Sequence, residues 1–313
     1  MNAPSNAVVL GVSADGYDAA LRFALDEANR IHRPLHLVHV LQVPAGEPYY
    51  GTVGVLVDEA KAVLNEARAR AEELAGNDVP VSTQLLDAGW VAQHLAAVSE
   101  KSALLVMQHR ALSRVKRVFT GSLVQSTAAR TDVPIVSGPE GWLPSDAPKG
   151  FVTAAVQDPV EAPALLRAAF EEARARGAKL VVLHAWWLAS GFDVVVVDGE
   201  FREQWTARSH EELEPVLAPL RQEFPDVEVA VDVRHAPPIE AVLDAAEASD
   251  LLVLGRRHHL LPIGSHLGPV ARAALDHSTC PVLITPELPI NSREAASETE
   301  GTVRSTDPVH ATI

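Results

Sequence analysis

Apolar stretches of strand length alternate with amphipathic stretches of helix length along most of the chain. Ala7–Val12 is a continuous apolar run, and Asp18–Ile31 follows it with apolar residues at helical spacing. The alternation continues through strands at 34–40, 79–86, 104–107 and 134–136 and through helices at 53–75, 91–99 and 123–130. This order, with short connections and near-continuous apolar strands, predicts a parallel sheet that is buried under helices on both faces.

The second half of the chain repeats this order. A constant 147 residues separate Gly121 from Gly268 and Pro134 from Pro281. Strands are predicted at 152–156, 180–184, 227–233, 251–254 and 282–284, and helices at 162–176, 208–224, 239–248 and 270–276. A period of this length is typical of a compact domain and too long for a solenoid unit. We therefore predict two tandem Rossmann-like α/β domains, at 7–137 and 151–286, each with a five-stranded parallel sheet.

Three segments fall outside the repeats. Residues 138–150 are rich in Gly and Pro and are predicted to be a linker. Residues 186–198 form an insertion in the second repeat, which we interpret as a mobile loop, a small extra strand or a packing flap. Residues 287–313 are polar and small, and this composition predicts a disordered tail.

Composition excludes several classes of function. The 313 residues carry a formal net charge of −15, which argues against non-specific binding to nucleic acid or anionic membranes. No signal-like segment and no apolar stretch of membrane-spanning length is visible, so a cytoplasmic, soluble protein is expected. The single cysteine, Cys280, excludes an intrachain disulfide, and its apolar surroundings predict a buried structural residue.

The ends of the two repeats carry a recognisable signature. Gly121-Ser122 or Gly268-Pro269 begins a helix, and a strand beginning Val-Pro-Ile or Cys-Pro-Val follows. With the five-stranded α/β order, this resembles the universal stress protein family, in the tandem form seen in actinobacteria. The resemblance covers residues of about 7–137 and 151–286. It implies a Rossmann-like fold of the adenine nucleotide α-hydrolase (HUP) type and a protein that binds rather than catalyses.

In ATP-binding members of that family, the loop after strand four reads Gly-x-x-Gly, nine residues, then Gly-Ser or Gly-Thr. Glycines let the backbone approach phosphates, and the N-terminus of the following helix favours an anion. An aspartate after strand one and a valine at the end of strand two hold the adenosine. In the first repeat Gly121-Ser122 and Val40 match this pattern, whereas the other positions carry Gln108, Ala111 and Ser13.

In the second repeat only Gly255 and Gly268 match. The remaining positions carry His258, Pro269, Gln157 and Ala185. Pro269 has no backbone N–H and removes a phosphate donor, although it suits the first position of a helix. Both ATP motifs are therefore eroded, and ATP is the candidate cofactor only by resemblance.

Both loops after the fourth strand are basic in an acidic protein. Arginine side chains there could bind an anion in place of the glycine backbone. Alternatively, the loops could be solvated, or they could pair with acidic residues across a domain interface. The candidate cofactor-binding residues of the first repeat are Val12, Ser13, Val40, Gln108, Arg110, Gly121, Ser122 and Leu123. Those of the second repeat are Val156, Gln157, Ala185, Gly255, Arg256, Arg257, His258, Gly268 and Val270.

Other constellations give no catalytic or metal site. The histidines near the end of the second repeat have no standard zinc-ligand spacing, so no metal is expected. His39 and His184 recur at similar places and are interpreted as packed, hydrogen-bonded residues, because no nucleophile accompanies them. Trp186 and Trp187 could cap a ligand cleft or pack in a core or interface.

The sequence therefore predicts a non-enzymatic stress-response regulator or interaction protein with eroded ATP motifs in both repeats. The alternative is an adenine-nucleotide binder with slow ATP hydrolysis that uses the basic loops. Expected partners are a second copy of the chain, with the repeats paired through their last strands, and an unidentified protein. Nucleic acid and membrane are not expected partners.

Overall fold

The computed structural model describes residues 3–43, 49–76, 78–109, 123–144, 147–159, 162–187, 199–256 and 267–286. Most of the two loops after the fourth strands, most of the 186–198 insertion and the tail at 287–313 lie outside the described residues. The predictions of a disordered tail and of an insertion therefore stay predictions for those parts.

The first repeat follows the predicted order of strands and helices. Its strands are β1 (Val8–Gly11), β2 (Leu35–Val40), β3 (Val81–Leu86), β4 (Leu104–His109) and β5 (Ile135–Pro139). Its helices are α1 (Asp18–Arg30), α2 (Tyr49–Ala75), α3 (Val91–Ser99) and α4 (Leu123–Ala128). The buried face of α1 consists mainly of Ala, Leu and Phe side chains, as its helical spacing predicts.

The second repeat has the same order. Its strands are β6 (Phe151–Ala155), β7 (Lys179–Trp186), β8 (Val229–His235), β9 (Leu251–Gly255) and β10 (Val282–Thr285). Its helices are α5 (Pro163–Arg176), α6 (Gly199–Glu223), α7 (Pro238–Glu247) and α8 (Pro269–His277). Helix α5 ends where Gly177 adopts a left-handed conformation with φ of 60°, which a residue without a Cβ does at low cost. None of the helices in the described ranges is long and apolar enough to cross a membrane.

The two repeats form one ten-stranded sheet with the order β3-β2-β1-β4-β5-β10-β9-β6-β7-β8. Neighbouring strands are parallel within each repeat, and β5 and β10 are antiparallel, with Val282 opposite Ser137 and Ile284 opposite Ile135. This seam joins the halves edge to edge. It also covers one edge of each sheet, which would otherwise expose unpaired backbone groups.

Two hydrophobic cores cover the two faces of this sheet, and each core runs through both repeats. Val8 and Leu10 of β1 enter one core, and Val9 enters the other, because successive side chains of a strand point to opposite faces. The first core contains residues of α1, α2, α5 and α6, and the second contains residues of α3, α4, α7 and α8. The helical layers on both faces agree with the fold class predicted from the sequence.

Several boundaries differ from the sequence prediction. Strand β5 runs to Pro139, into the segment predicted as a linker, because Gly138 and Pro139 pair with the last residues of β4. Trp186, assigned to the insertion, is the last residue of β7 and pairs with His235 of β8. Helix α6 begins at Gly199, nine residues before its predicted start.

A partly buried ionic cluster joins the two repeats on one face of the sheet. The Arg176 guanidinium of α5 donates to Glu27 of α1 at 2.7 Å and also to Glu172 of its own helix. It also lies 5.9 Å from the centre of the Phe23 ring. Burial raises the pKa of the Glu172 carboxyl. The charged groups thus form a paired network at the seam between the repeats.

Candidate functional site

Strand register shows which positions of the two repeats are equivalent. Val8 of β1 lies opposite Leu104 of β4, and Val152 of β6 lies opposite Leu251 of β9. In each repeat the first strand has neighbours on both sides, the second and fourth strands, so its carboxyl end is a switch point of the topology. Open α/β sheets bind ligands in the crevice at such a point.

The second repeat has a cavity of ≈540 Å³ at this switch point. Ligand sites have volumes of about 300–1,000 Å³, so the cavity is large enough for a small molecule. The candidate residues that line it are Val156, Gln157, Ala185, Gly255, Gly268 and Val270. The other described residues around it are mostly apolar or aromatic: Ala155, Leu183, His184, Trp186, Trp187, Trp205, Pro238, Ile239, Val242, Leu254, Pro269 and Ala271.

Three indole rings line this cavity and belong to one aromatic cluster. The ring centre of Trp186 lies 5.4 Å from that of Trp205 and 4.3 Å from that of His235. Trp187 stacks on His235 at 4.9 Å with an angle of 20° between the planes. Phe201 stacks on Trp205 at 5.8 Å. Both interpretations of the tryptophan pair are therefore realised, since the rings pack together and line a cleft.

Sequence reasoning missed Trp205 because it placed the start of α6 too late. The signal was present in the spacing of Phe201, Trp205, Ser209, Leu213 and Leu217, which recur every four residues. The last three are buried, and this stripe packs α6 on the sheet. The first turns of α6 place Phe201 and Trp205 beyond the buried part of this stripe, and Trp205 lines the cavity.

A second, polar cavity of ≈320 Å³ adjoins the first and shares Gln157, His184 and Trp205 with it. Arg208 lines this polar cavity, lies 5.7 Å over the Trp205 ring and donates to Glu212 at 2.8 Å. The remaining described residues around it are Asp158, Pro159 and Ser209. A ligand in the aromatic cavity thus has room for a polar extension.

The equivalent cavity of the first repeat measures only ≈60 Å³. Its lining includes five of the candidate residues, Val12, Ser13, Val40, Gln108 and Leu123. Such a volume holds a few water molecules and no nucleotide. The structure brings these residues together at the predicted place, and the space that the described residues enclose there is much smaller than in the second repeat.

Gln108 lines this small cavity, and its amide also binds helix α1. Its Oε1 accepts hydrogen bonds from the backbone N–H groups of Ala19 and Ala20, at 3.1 and 3.3 Å. These groups lie in the first turn of α1, where backbone donors lack intrahelical partners. The equivalent residue of the second repeat is Gly255, where a Cβ would find no atom closer than 3.9 Å. The second repeat therefore lacks the side chain that makes these hydrogen bonds.

His39 and His184 are hydrogen-bonded in the same way in the two repeats, as predicted. The Nδ1 of His39 lies 2.9 Å from the carbonyl oxygen of Val12, and the Nδ1 of His184 lies 3.1 Å from that of Val156. A carbonyl only accepts, so Nδ1 carries the proton and Nε2 of the neutral ring is an acceptor. His39 is buried, whereas His184 is half-buried and lines both cavities of its repeat.

Of the basic candidate residues, only Arg256 lies within the described residues. The Arg256 guanidinium donates to the carbonyl oxygens of Thr131 and Val133 in the first repeat, so it is engaged at the interface and not in the cavity. Five other candidates lie outside the described residues: Arg110, Gly121, Ser122, Arg257 and His258. Pro269 is the first residue of α8, directly after Gly268, so that position offers no N–H to an anion. Within the described ranges no group of histidines, cysteines and carboxylates is arranged to hold a metal ion.

The sequence and the fold were compared with known proteins. The model of the universal stress protein family matches residues 6–136 and 152–286. A universal stress protein of Mycolicibacterium smegmatis is 27% identical over 88% of this chain and 96% of its own length. One from Mycobacterium tuberculosis is 33% identical over 72% of this chain and 79% of its own length.

The fold has a solved counterpart. The crystal structure of a universal stress protein from Archaeoglobus fulgidus superimposes with a TM-score of 0.67, covering 90% of this chain and 96% of that one at 18% identity. This similarity concerns the fold alone. Because the family model covers both repeats, the chain belongs to the universal stress protein family and carries two copies of its domain in tandem.

Proposed function

We propose that this universal stress protein acts in the stress response by binding and not by catalysis, and that only its second repeat is a ligand site. The observation that carries the proposal is the difference between the ≈540 Å³ cavity of the second repeat and the ≈60 Å³ cavity of the first. The first repeat then serves as a structural half that completes the shared sheet.

The chemistry of the aromatic cavity in the second repeat supports a binding role. Its described lining contains no Ser, Cys, Lys, Asp or Glu that could act as a nucleophile or general base beside His184. The Nδ1 of that histidine donates to the main-chain carbonyl of Val156.

The alternative function is binding of ATP with slow hydrolysis. Gly255 and Gly268 keep two of the family's glycine positions, and both line the large cavity at the switch point. In this alternative the phosphates extend towards 257–266, a loop outside the described residues. The eroded motif and Pro269 favour the non-enzymatic function.

We also propose a cytoplasmic location, assembly of two chains into a dimer and an unidentified protein partner. Two exposed apolar side chains that line the cavity, Trp187 and Ile239, are 42% and 39% exposed and offer a partner a surface that bound ligand would change. Exposed apolar residues beside a cavity are typical of interaction sites.

Native mass spectrometry of the purified protein, followed by denaturation to release small molecules, tests the proposal directly. We expect at most one ligand per chain and no phosphate release when ATP is added. Two ligands per chain would contradict the division of roles between the repeats. Phosphate release that disappears in Gly255→Gln would establish the ATPase alternative.

A further inference from the structure

We infer that the cavity between α1 and α2 of the first repeat is a docking site for a partner protein, which inserts a carboxylate and an adjacent aromatic ring. The carboxylate pairs with Arg22, and the ring enters a space that a phenylalanine fills in the second repeat. This inference goes beyond the proposed function, because it adds a protein contact at the opposite edge of the sheet and needs no ligand in the second repeat.

The cavity has a volume of ≈260 Å³ and lies where α1 and α2 lead into β2 and β3. It is therefore at the amino ends of these strands, whereas the ligand cavity of the second repeat is at the carboxyl ends. Arg22 supplies the positive charge of its lining. Its apolar lining consists of Leu25, Leu74, Ala75, Val79 and Pro144.

Arg22 lacks a carboxylate of its own in this cavity. Its Nε is buried and has no hydrogen-bond partner among the described residues. The acidic residues one turn away on α1 pair with other arginines, Asp18 with Arg70 and Asp26 with Arg30. A buried charged donor without a partner is costly, so a carboxylate that accepts a hydrogen bond from Arg22 stabilises this group.

The second repeat shows which partner such an arginine takes. Aligning α1 with α5 by their buried residues places Arg22 at the position of Arg167. Both guanidinium nitrogens of Arg167 donate to the Glu223 carboxylate of α6, at 2.5 and 2.8 Å. Aligning α2 with α6 in the same way places Leu74 at the position of Glu223. The first repeat thus keeps the arginine and lacks its carboxylate.

The buried residues define these two alignments by constant separations in the sequence. The pairs are Leu21 with Leu166 and Ala28 with Ala173 for the first helices, and Leu64 with Leu213 and Ala71 with Leu220 for the second.

The same comparison indicates an aromatic ring beside the carboxylate. In the second repeat Phe170 and Phe224 are buried against each other, with ring centres 5.4 Å apart. The equivalent residues of the first repeat are Leu25 and Ala75, and both line the cavity. The cavity therefore lies where the second repeat has an aromatic side chain. Burial of a ring there removes apolar surface from water, which favours docking.

The other charges around the cavity limit the partner to a single carboxylate. Asp26 and Asp78 also line it, and both residues are exposed. They would repel a second acidic group, so a run of acidic residues is a poor occupant. One acidic residue next to an aromatic one, as in Glu223 and Phe224, meets the arginine and the apolar wall together.

The surroundings of the cavity favour a protein segment over a small molecule. Leu74 is 36% exposed, and Leu143, which precedes the lining residue Pro144, is 62% exposed. These side chains extend the apolar surface beyond the cavity. Exposed apolar patches of this kind are typical of protein interfaces, since a partner covers the patch as well as the cavity.

The test is an NMR titration of the full chain with the capped peptide acetyl-Gly-Glu-Phe-Gly-amide. Two control peptides replace its glutamate by glutamine and its phenylalanine by alanine, and phenylacetate supplies the same groups as a free small molecule. Arg22→Gln removes the charge that the carboxylate meets, and Arg167→Gln at the equivalent position is the matched control. Leu74→Glu supplies a carboxylate within the chain, with Leu74→Gln as its uncharged control.

We expect the Glu-Phe peptide to bind saturably and more tightly than phenylacetate. Loss of either its carboxylate or its ring should weaken binding by about tenfold or more. Arg22→Gln and Leu74→Glu should each weaken it by about tenfold or more, because the first removes the cation and the second occupies it. Arg167→Gln and Leu74→Gln should change it by less than about threefold.

Each failure has a distinct meaning. If the peptide does not bind, or if the glutamine peptide binds equally well, the docking site is wrong. Binding of phenylacetate as tight as that of the peptide would make the cavity a small-molecule site and overturn the protein partner. A dimer of the chain that dissociates in Arg22→Gln but not in Arg167→Gln, measured by size-exclusion chromatography, would show that a second copy occupies the cavity and would overturn a foreign partner.

Discussion

The two repeats share a strand order and a register, yet among the described residues only those of the second repeat line a cavity large enough for a ligand. At the position after the fourth strand's apolar run, the first repeat has Gln108 and the second has Gly255. The first volume is ≈60 Å³ and the second ≈540 Å³. The comparison teaches that a few side chains at the carboxyl edge of a sheet decide whether a common fold keeps a site.

Other substitutions act in the same direction. Strand pairing and helix position make Val40 of the first repeat equivalent to Ala185 of the second, and Leu95 equivalent to Val242. At these two positions the second repeat has the smaller aliphatic side chain, whereas its Leu183 is larger than the equivalent Val38. It also has Trp186 one position after Ala185, which provides an aromatic wall. The closed site gains hydrogen bonds and packing, whereas the open site gains room.

The largest effect is expected from exchanging the decisive residue. Gly255→Gln should weaken ligand binding by about tenfold to a hundredfold, because Gly255 lines the cavity and the added side chain would crowd its edge. A Cβ at Gly255 meets no atom within 3.9 Å, so the variant should fold. Titration with adenosine measures the effect, and Gly255→Ala is the control that should retain binding. Undiminished binding in Gly255→Gln would show that this position does not govern the site.

The next largest effect is expected at Arg256, which contacts the first repeat and does not line the ligand cavity. Arg256→Ala should lower the free energy of unfolding by about 2 kcal/mol, because two carbonyls, of Thr131 and Val133, lose a charged donor. Denaturant unfolding measures the change. Ligand affinity should stay the same, since the guanidinium lies at the interface. Loss of affinity with unchanged stability would instead place Arg256 in the ligand site.

A smaller effect is expected in the closed repeat. Gln108→Ala should lower the free energy of unfolding by about 1 kcal/mol, because the N–H groups of Ala19 and Ala20 lose their acceptor. Binding at the second repeat should not change. The control is Gln93→Ala, which removes an exposed amide from α3. A variant as stable as this control would mean that the hydrogen bonds from Gln108 contribute nothing measurable.

The smallest effect concerns pH and again distinguishes the repeats. His36 is buried on β2, between Ser82 Oγ at 2.9 Å and Gln84 Oε1 at 3.1 Å, whereas the equivalent residue of the second repeat is Val181. Burial lowers the pKa of His36 below its ordinary value of 6.5, so the unfolded chain binds the proton more readily. Its contribution to stability is complete above that pH and is lost as pH falls below about 6.5 towards the lowered value.

Unfolding measured between pH 5 and pH 8 checks this contribution. His36→Val should flatten the acid side of the stability profile relative to the unmodified chain, even though it leaves Ser82 and Gln84 without this partner. Parallel profiles for the two proteins would show that the proton affinity of His36 does not change on folding.

Much of the fold was predictable because it depends on local patterns. Burial on both faces makes each strand of a parallel sheet an apolar run, and the helices show their spacing directly. The start of α6 was missed because the stripe of its buried part continues there through only two residues, Phe201 and Trp205, and the other residues of those turns are mostly polar. The extension of β5 to Pro139 depends on pairing with β4, a partner distant in sequence.

The sequence by itself determined the two tandem α/β units, their family and the set of positions at the carboxyl edge, because repeat spacing and hydrophobic period are properties of the chain. Only the tertiary structure decided which of these positions enclose space. It showed that the Gln108 amide reaches the first turn of α1, that Arg256 turns to the other repeat, and that Trp205 reaches the rim from α6. These outcomes depend on side-chain directions and on neighbours from distant segments, which sequence spacing does not specify.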